Sequence, residues 1–407
     1  TCALPIWKNT QMISVPEAID IVKKEVGASV AERVPISEAA GRILSEDILA
    51  DSDLPPFNRS QMDGFAMRHD DDSESLRIIG ESVAGRGFDG KVAPGTAVRI
   101  MTGARVPEGA DAVQKVESTE ESDGIVTMLE APEAGQNIVK SGEEVRKGHR
   151  VMTRGEIIGD NAIATLASFG YSTVEVGARP KVSILSTGSE IVSISETPAK
   201  DQIRNSNSEL LRALVSRTGG EVSIRPHADD DLEQLKSAIS DALVDGPDIL
   251  IITGGVSVGD YDFTKPALRE LGAEIFFEKV SLKPGKPTVF ARLGETLIFG
   301  LPGNPVSVAV TFHLFVRTAI LAMQGAIECG LREGFAVASK DFKGAKERDC
   351  YLPVSLGSDF QGHLVIEAQR FGGSSNFIAF SKADALLFIP KGGRLEQDGI
   401  GRIYFLR

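Results

Sequence analysis

Apolar positions change their spacing several times along this chain. From Ile13 to Val26 they recur at helical intervals, after Ser14 as a cap and with Pro16 in the first turn. Ser37 to Leu44 reads as a second short helix. A loop rich in Asp, Pro and Asn follows, Asp51 to Asp63. From there to about Glu144, short β-like runs alternate with Gly and Pro: Arg77–Ile79, Ala97–Met101, Ala112–Val116 and Ile125–Leu129. Such runs predict a small all-β domain. Asn161–Phe169 is helical again, with Gly170 as its stop.

From Lys181 onward, strand and helix patterns alternate. Val182–Leu185, Val222–Arg225 and Ile249–Thr253 read as strands, with helices at Ser208–Ser216, Leu232–Leu243 and Phe263–Leu271. Two further strands near Thr288–Ala291 and Thr296–Phe299 precede a helix from Pro305 to Met323. Near-continuous apolar strands alternating with helices predict a doubly wound, mostly parallel sheet in a three-layer α/β domain. After Gly334 the pattern returns to short strands and Gly turns, a small C-terminal β domain. The expected division is a discontinuous helical and linker domain at 8–49 and 145–179, an inserted β domain at 50–144, the α/β domain at 180–326 and the β domain at 327–407.

Length supports this division, since 407 residues correspond to two to four domains at roughly 100–200 residues each. Hydrophobic content of 42% and charged content of 25% are ordinary for a soluble globular protein. A net charge of −13 and a pI of about 5.1 argue against nucleic acid as a partner, which calls for a basic face. An anionic small ligand stays compatible, because a few Lys residues and a metal reverse the sign locally. Cys2, Cys329 and Cys350 lack C-x-x-C spacing, so a disulfide framework or zinc knuckle is not expected, and a reducing cytoplasm is the simplest compartment. No membrane span and no signal peptide are expected. The nearest apolar run, Val306–Met323, is interrupted by His313 and Arg317.

In open α/β sheets, ligands bind outside the carboxyl ends of the strands. The loops expected there carry unusual chemistry. Ser186-Thr187-Gly188-Ser189-Glu190 offers hydroxyls, a glycine and a carboxylate; an ordinary turn with a solvent-facing Glu is the bland alternative. Thr253 to Asp262 contains Ser257 and the glycines Gly254, Gly255 and Gly259, which let backbone N–H groups approach a ligand. The next helix presents its positive end there, and Asp262 could either cap it or bind a metal. This loop is neither a Walker A motif nor a G-x-G-x-x-G fingerprint. Lys283-Pro284-Gly285-Lys286-Pro287 holds two ammonium groups on a stiff backbone, where a solvated basic turn is the alternative. In Gly300 to Ser307, Asn304 and Pro305 suit the cap and first turn of a helix, which leaves Pro302, Gly303 and the Ser307 hydroxyl unexplained. Asp230 and Asp231 open a helix, either as dipole and cap residues or, with Glu190 and Asp262, as oxygen ligands for Mg²⁺.

Taken together and in this order, TGGVSVGDYD, KPGKP and GLPGNPVS resemble the molybdopterin molybdenumtransferase (MoeA) family, with the related C-terminal domain of gephyrin. Pro55–Phe65 (PPFNRSQMDGF) and Arg99–Ala112 (RIMTGARVPEGADA) resemble two further segments of that family. The resemblance runs from about Ile13 to the C-terminus. It implies insertion of molybdate into adenylylated molybdopterin with release of AMP, assisted by Mg²⁺. It also implies an elongated homodimer whose active-site cleft is shared between subunits, and an α/β domain like that of the molybdopterin adenylyltransferase that supplies the substrate. That adenylyltransferase and recipient molybdoenzymes are the implied protein partners.

Carried onto this chain, Glu190, Asp230 or Asp231, and Asp262 are the implied metal carboxylates, with Glu190 and Asp262 also catalytic. Lys283, Lys286 and Ser307 are implied to hold molybdate or phosphate oxygens, and Pro302 and Pro305 to shape their loop. Thr187, Gly188, Gly254, Gly255, Ser257, Gly303 and Asn304 complete the implied substrate site. Asp63 and Thr102 are implied to close the cleft from the other subunit. Glu144, Arg348 and Ser374 or Ser375 resemble further family residues, the last three near the molybdate site. Two other readings stand beside this one: a binding scaffold that has lost turnover, and a molybdopterin adenylyltransferase. The scaffold should have lost Asp262, the Lys pair or Ser307, and the β regions at both ends argue against the adenylyltransferase.

Overall fold

A computed structural model describes residues 12–27, 30–256, 262–367 and 376–406. The expected α/β unit is present. Its six-stranded sheet runs in the order Glu221–Ile224, Lys181–Ser186, Ile249–Thr253, Thr296–Leu301, Val289–Leu293, Glu274–Phe277. The first four strands are parallel, Val289–Leu293 runs antiparallel to them, and Glu274–Phe277 pairs antiparallel with Val289–Leu293. Alternate residues of each strand feed opposite faces. Ile249, Ile251, Leu297 and Phe299 pack under Ser206–Arg217 and the Pro305–Met323 helical segment. Leu250, Ile252 and Ile298 pack under Leu232–Leu243 and Thr264–Glu270. Both faces are therefore covered, which explains the unbroken apolar strands.

The segment from Pro305 to Met323 is long and apolar enough to cross a membrane, but 83% of its most apolar window is buried inside the fold. Its middle, Phe312–Val316, is a π turn. That turn carries His313, which burial, with help from Arg217 and Arg317, pushes down to about 3.

The opening helix, Val15–Glu25, has the expected cap: Ser14 and Glu17 form a reciprocal capping box. Its apolar residues Val15, Ala18 and Val22 join the α/β core, whereas the sequence grouped this helix with the linker segments. A single amphipathic helix needs a large apolar face, and the long buried helix supplies one. The helix expected at Ser37–Leu44 does not form. Only one 3₁₀ turn, Ile36–Glu38, is present, and Ile43 and Leu44 instead bridge to Ile157 and Val176. Strand pairing across some 130 residues overrides the local helical pattern. Val34, Leu44, Ile48, Met152, Ile158, Leu166 and Val176 share one small core, joining the chain on either side of the inserted β region.

The inserted region forms a six-stranded sheet, with Gly64–Met67 between Ala112–Lys115 and Thr96–Ile100. Gly64 is required there, since a Cβ would sit 1.9 Å from the Gln114 carbonyl oxygen. At the other end of the chain, five strands close into a ring: Asp349–Ser358, Leu364–Glu367, Glu333–Ala338, Ile400–Phe405 and Ala385–Ile389. Closure leaves this small barrel without a free edge apart from the short Leu282–Lys283 strand, which adds to Asp349–Cys350.

Two stability predictions follow from the long helix and the sheet beneath it. Phe290 is fully buried and its ring packs against Phe276, Phe277 and Phe299, so Phe290→Ala should lower stability by about 3–5 kcal/mol, read from the denaturant midpoint. His313 is neutral when folded but takes up a proton in the unfolded chain below about 6.5. The unfolded state therefore binds more protons, and stability falls as pH drops from 6.5 toward 3. His313→Gln should flatten that slope, and an unchanged slope would remove His313 as its source.

Candidate functional site

Ser186, Thr253 and Leu301 end three neighbouring parallel strands at the same level, because Ser186 pairs with Thr253 and Thr253 with Leu301. Three of the loops picked out from the sequence therefore leave the sheet side by side. Thr187 N–H donates to the Thr253 carbonyl at 2.9 Å, and Gly254 N–H to the Leu301 carbonyl at 3.2 Å. Gly254 has φ +103°, and a Cβ there would lie 2.5 Å from the Thr187 carbonyl oxygen. Only glycine permits that close crossing of two backbones. The Thr187 hydroxyl oxygen is buried beside this turn and has no hydrogen-bond partner among the described residues.

The carboxylates divide by role. Asp231 is the N-cap of Leu232–Leu243 and accepts from Gln234 N–H at 2.9 Å. Asp230 turns the other way, accepting from Ser189 N–H at 3.3 Å while its own N–H donates to the Ser189 hydroxyl at 3.2 Å. That places Asp230 against the loop bearing Glu190, whose carboxylate folds back over Gly188. Asp262 precedes Thr264–Glu270, whose cap position is Phe263 and carries no side-chain cap bond. Among the described residues no three His, Cys, Asp or Glu side chains converge as a metal cage. The four carboxylates Glu190, Asp230, Asp231 and Asp262 thus do not form one set. Asp231 belongs to its helix, and the rest flank the loops. A hard divalent ion such as Mg²⁺, which takes most of its oxygens from phosphates and water, would need only one or two of these carboxylates.

The Lys loop is built from the side. Gly285 packs against Thr311, and the Thr288 hydroxyl donates to the Gly285 carbonyl at 2.7 Å, leaving Lys283 and Lys286 exposed. Because Leu282–Lys283 pairs with Asp349–Cys350, the C-terminal barrel brings Arg348 to this loop, where its guanidinium reaches the Leu282 carbonyl at 3.5 Å. Arg348 thus adjoins the loop that carries the two lysines. Pro302 is buried, Gly303 and Asn304 are exposed, and Asn304 and Pro305 take the cap and first-turn positions as expected. No side-chain cap bond is made there. Ser307 is buried in the first turn of its helix rather than displayed at the surface. Ser257, Ser374 and Ser375 lie outside the described residues.

Asp63 and Thr102 form a second, separate locus. They flank the paired strands Gly64–Met67 and Thr96–Ile100. Asp63 Oδ1 accepts from both the backbone N–H and the hydroxyl of Thr102, at 2.6 and 2.7 Å. Those two bonds, the backbone one foremost, hold the Asp63 carboxyl below its usual range although it is exposed. No hydrogen bond, ion pair or strand pairing among the described residues joins this pair to the α/β loops. Glu144 pairs with Arg59 at 3.0 Å in the same region.

Sequence reasoning missed Asn205 and Asn207, which lie just ahead of the helix expected to start at Ser208. Asn205 caps that helix and its amide donates to the Ser186 hydroxyl at 2.7 Å. Asn207 donates to the Thr253 hydroxyl at 3.1 Å and to the Gly303 carbonyl at 2.7 Å. An Asn at a helix start signals a cap, but nothing in the sequence says which strand ends it reaches. A cavity of about 390 Å³ adjoins this corner, between Ser206, Leu210 and Pro305 of the α/β unit and Phe377, Phe380 and Leu406 beyond it.

A mostly parallel sheet whose strand-end loops carry lysines and carboxylates is thus carried between two β modules. The family profile for the MoeA N-terminal region (domain I and II) matches residues 13–170. That for a probable molybdopterin binding domain matches 183–322, and that for the MoeA C-terminal region (domain IV) matches 336–397. The molybdopterin molybdenumtransferase of Staphylococcus aureus (strain COL) is 35% identical over 389 residues, covering 94% of this chain and 92% of that one. The same-named protein of Staphylococcus epidermidis (strain ATCC 12228 / FDA PCI 1200) is 34% identical over the same shares. The crystal structure of the molybdopterin biosynthesis moeA protein from Pyrococcus horikoshii OT3 superposes with a TM-score of 0.83 at 29% identity, covering 97% of this chain and 100% of that one. The chain belongs to the molybdopterin molybdenumtransferase family and is a transferase of molybdenum cofactor biosynthesis. The expected family and fold class are thereby borne out.

The Asp63 geometry makes a prediction independent of turnover. Thr102→Val removes one of the two donors, so the Asp63 titration should move up toward an ordinary Asp value in carboxyl-detected NMR. An unmoved titration would show that the hydroxyl bond contributes nothing.

Proposed function

We propose that this chain inserts molybdate into adenylylated molybdopterin and releases AMP, with a divalent cation, in a cleft completed by a second copy of the chain. The observation that carries this reading is the split of the rim into two chemistries. Glu190 and Asp230 stand on one side of the Gly254–Gly255 turn, and Lys283 and Lys286 are carried on a loop that the C-terminal barrel braces and that Arg348 adjoins. A nucleotide-linked pyrophosphate with its cation suits the carboxylate side. A tetrahedral oxyanion suits the three cations, Arg in particular through its fork of donors.

Within this reading Asp230, not Asp231, is the metal carboxylate, because it faces the loop that bears Glu190 whereas Asp231 caps its own helix. Mg²⁺ held by Glu190 and Asp230 would neutralise phosphate charge as AMP departs. Lys283, Lys286 and Arg348 hold the oxyanion where the AMP leaves. Asp262 and the positive end of the Thr264–Glu270 helix border the same opening. Asp63, kept ionised by Thr102, is the group that the partner copy brings to the cleft.

The test is AMP release by purified protein supplied with adenylylated molybdopterin, Mg²⁺ and molybdate. Release is expected, and it should stop when the cation is chelated; its absence under conditions where a family relative works would sink the transferase chemistry. Asp262→Asn and Glu190→Gln should each lower the rate by about 100-fold or more, the scale of losing one charge-stabilising group, with the fold intact. Asp231→Asn should cost far less, because an Asn still caps a helix. An equal loss in Asp230→Asn and Asp231→Asn would overturn the assignment between them.

A further inference from the structure

Asn207 lies under the floor of the site, and both of its amide N–H groups are engaged. One amide N–H donates to the Gly303 carbonyl, which only accepts, so the nitrogen must face that way. The other donates to the Thr253 hydroxyl, which passes its own proton to the Pro302 carbonyl at 3.2 Å. The chain of donors runs one way, from the Ser206–Arg217 helix through the end of the Ile249–Thr253 strand to the Pro302–Gly303 turn. The amide orientation leaves Asn207 Oδ1 as an acceptor. It is buried, and among the described residues it has no hydrogen-bond partner. The buried hydroxyl of Thr187, beside Gly254 and Gly255, is likewise without a partner.

We infer that Asn207 is a positioning residue that ties the Pro302–Gly303 turn to the Thr253 strand end, and that its empty amide oxygen receives an N–H of the bound substrate. The first half follows from the bonds made. Pro302 and Gly303 have no ladder partner of their own beyond Leu301, so their place relative to Gly254 depends on the Asn207 and Thr253 bridges. The second half follows from the bond not made. A buried acceptor without a donor is unfavourable, and a side chain serving only as a tie has no reason to keep one. A substrate carrying aminated heterocycles, as adenylylated molybdopterin does at both its purine and its pterin, offers the missing donor when it seats. This inference rests on the proposed chemistry for its substrate, but it concerns a residue that chemistry does not name.

Full-length Asn207→Ala is compared with the unmodified chain for melting temperature, kcat and KM of AMP release, and affinity for AMP and inosine monophosphate. Expected are a melting temperature within about 3 °C, a kcat lower by roughly 100-fold from the misplaced turn, and a KM raised about tenfold. If the donor is the purine amine, the unmodified chain prefers AMP over inosine monophosphate and the variant does not. If it is the pterin, neither discriminates and the KM for the full substrate alone rises. A folded variant with kcat and KM within about threefold of the original overturns the inference, and a fall in kcat with unchanged KM overturns the substrate contact. Should Asn207→Ala not fold, Asn207→Ser, which keeps a short polar group, carries the same measurements. Failure of the unmodified chain to release AMP is a separate outcome, and it counts against the proposed chemistry rather than against Asn207.

Discussion

The level registration of three parallel strand ends is the constraint on which the rest depends. Ser186, Thr253 and Leu301 stand in one row, so the loops that follow them must share one rim. Backbone hydrogen bonds between Thr187, Thr253, Gly254 and Leu301 extend that row just past the sheet. The glycine at 254 lets the loops cross at a distance that a Cβ would forbid. Nothing in this arrangement needs a large apolar pocket. The rim is instead a line of backbone donors and polar side chains, which suits a charged substrate better than an oily one.

The other modules act on this rim from outside. The C-terminal barrel lends an edge to Leu282–Lys283 and so sets both the direction of the Lys loop and the nearness of Arg348. The N-terminal sheet builds the Asp63–Thr102 pair with its own hydrogen bonds, ready-ionised but apart from the α/β loops. A locus finished in this way, with no hydrogen bond or strand pairing to the α/β loops among the described residues, gives the proposed shared cleft its physical motive.

Much of the α/β unit was legible before any coordinates. The helix at Leu232–Leu243 and the strand at Ile249–Thr253 begin and end where the apolar pattern puts them. Their signals are local: an Asp cap with period 3.6 in one, a continuous apolar run in the other. The short helix at Ser37–Leu44 shows the limit of such signals. Its apolar residues serve strands more than a hundred residues away, and an eight-residue window holds no trace of Ile157 or Val176. The opening helix repeats the lesson, since an amphipathic pattern states that a face is buried and not against what.

The site divides along the same line. Sequence by itself determined the chemistry available: which loops carry carboxylates, which carry lysines, where glycine and proline hold the backbone, and through their order the family. Those are properties of residue type and spacing. Only the tertiary structure separated the surroundings of Asp230 and Asp231, because one carboxylate can serve a helix cap and its neighbour a loop at the same spacing. Only it brought Arg348 to Lys283 and Asn207 to Thr253 and Gly303, contacts set by strand pairing and helix packing across long stretches of chain. Side-chain type is written locally, whereas direction and company are fixed by how distant segments bury their apolar faces together.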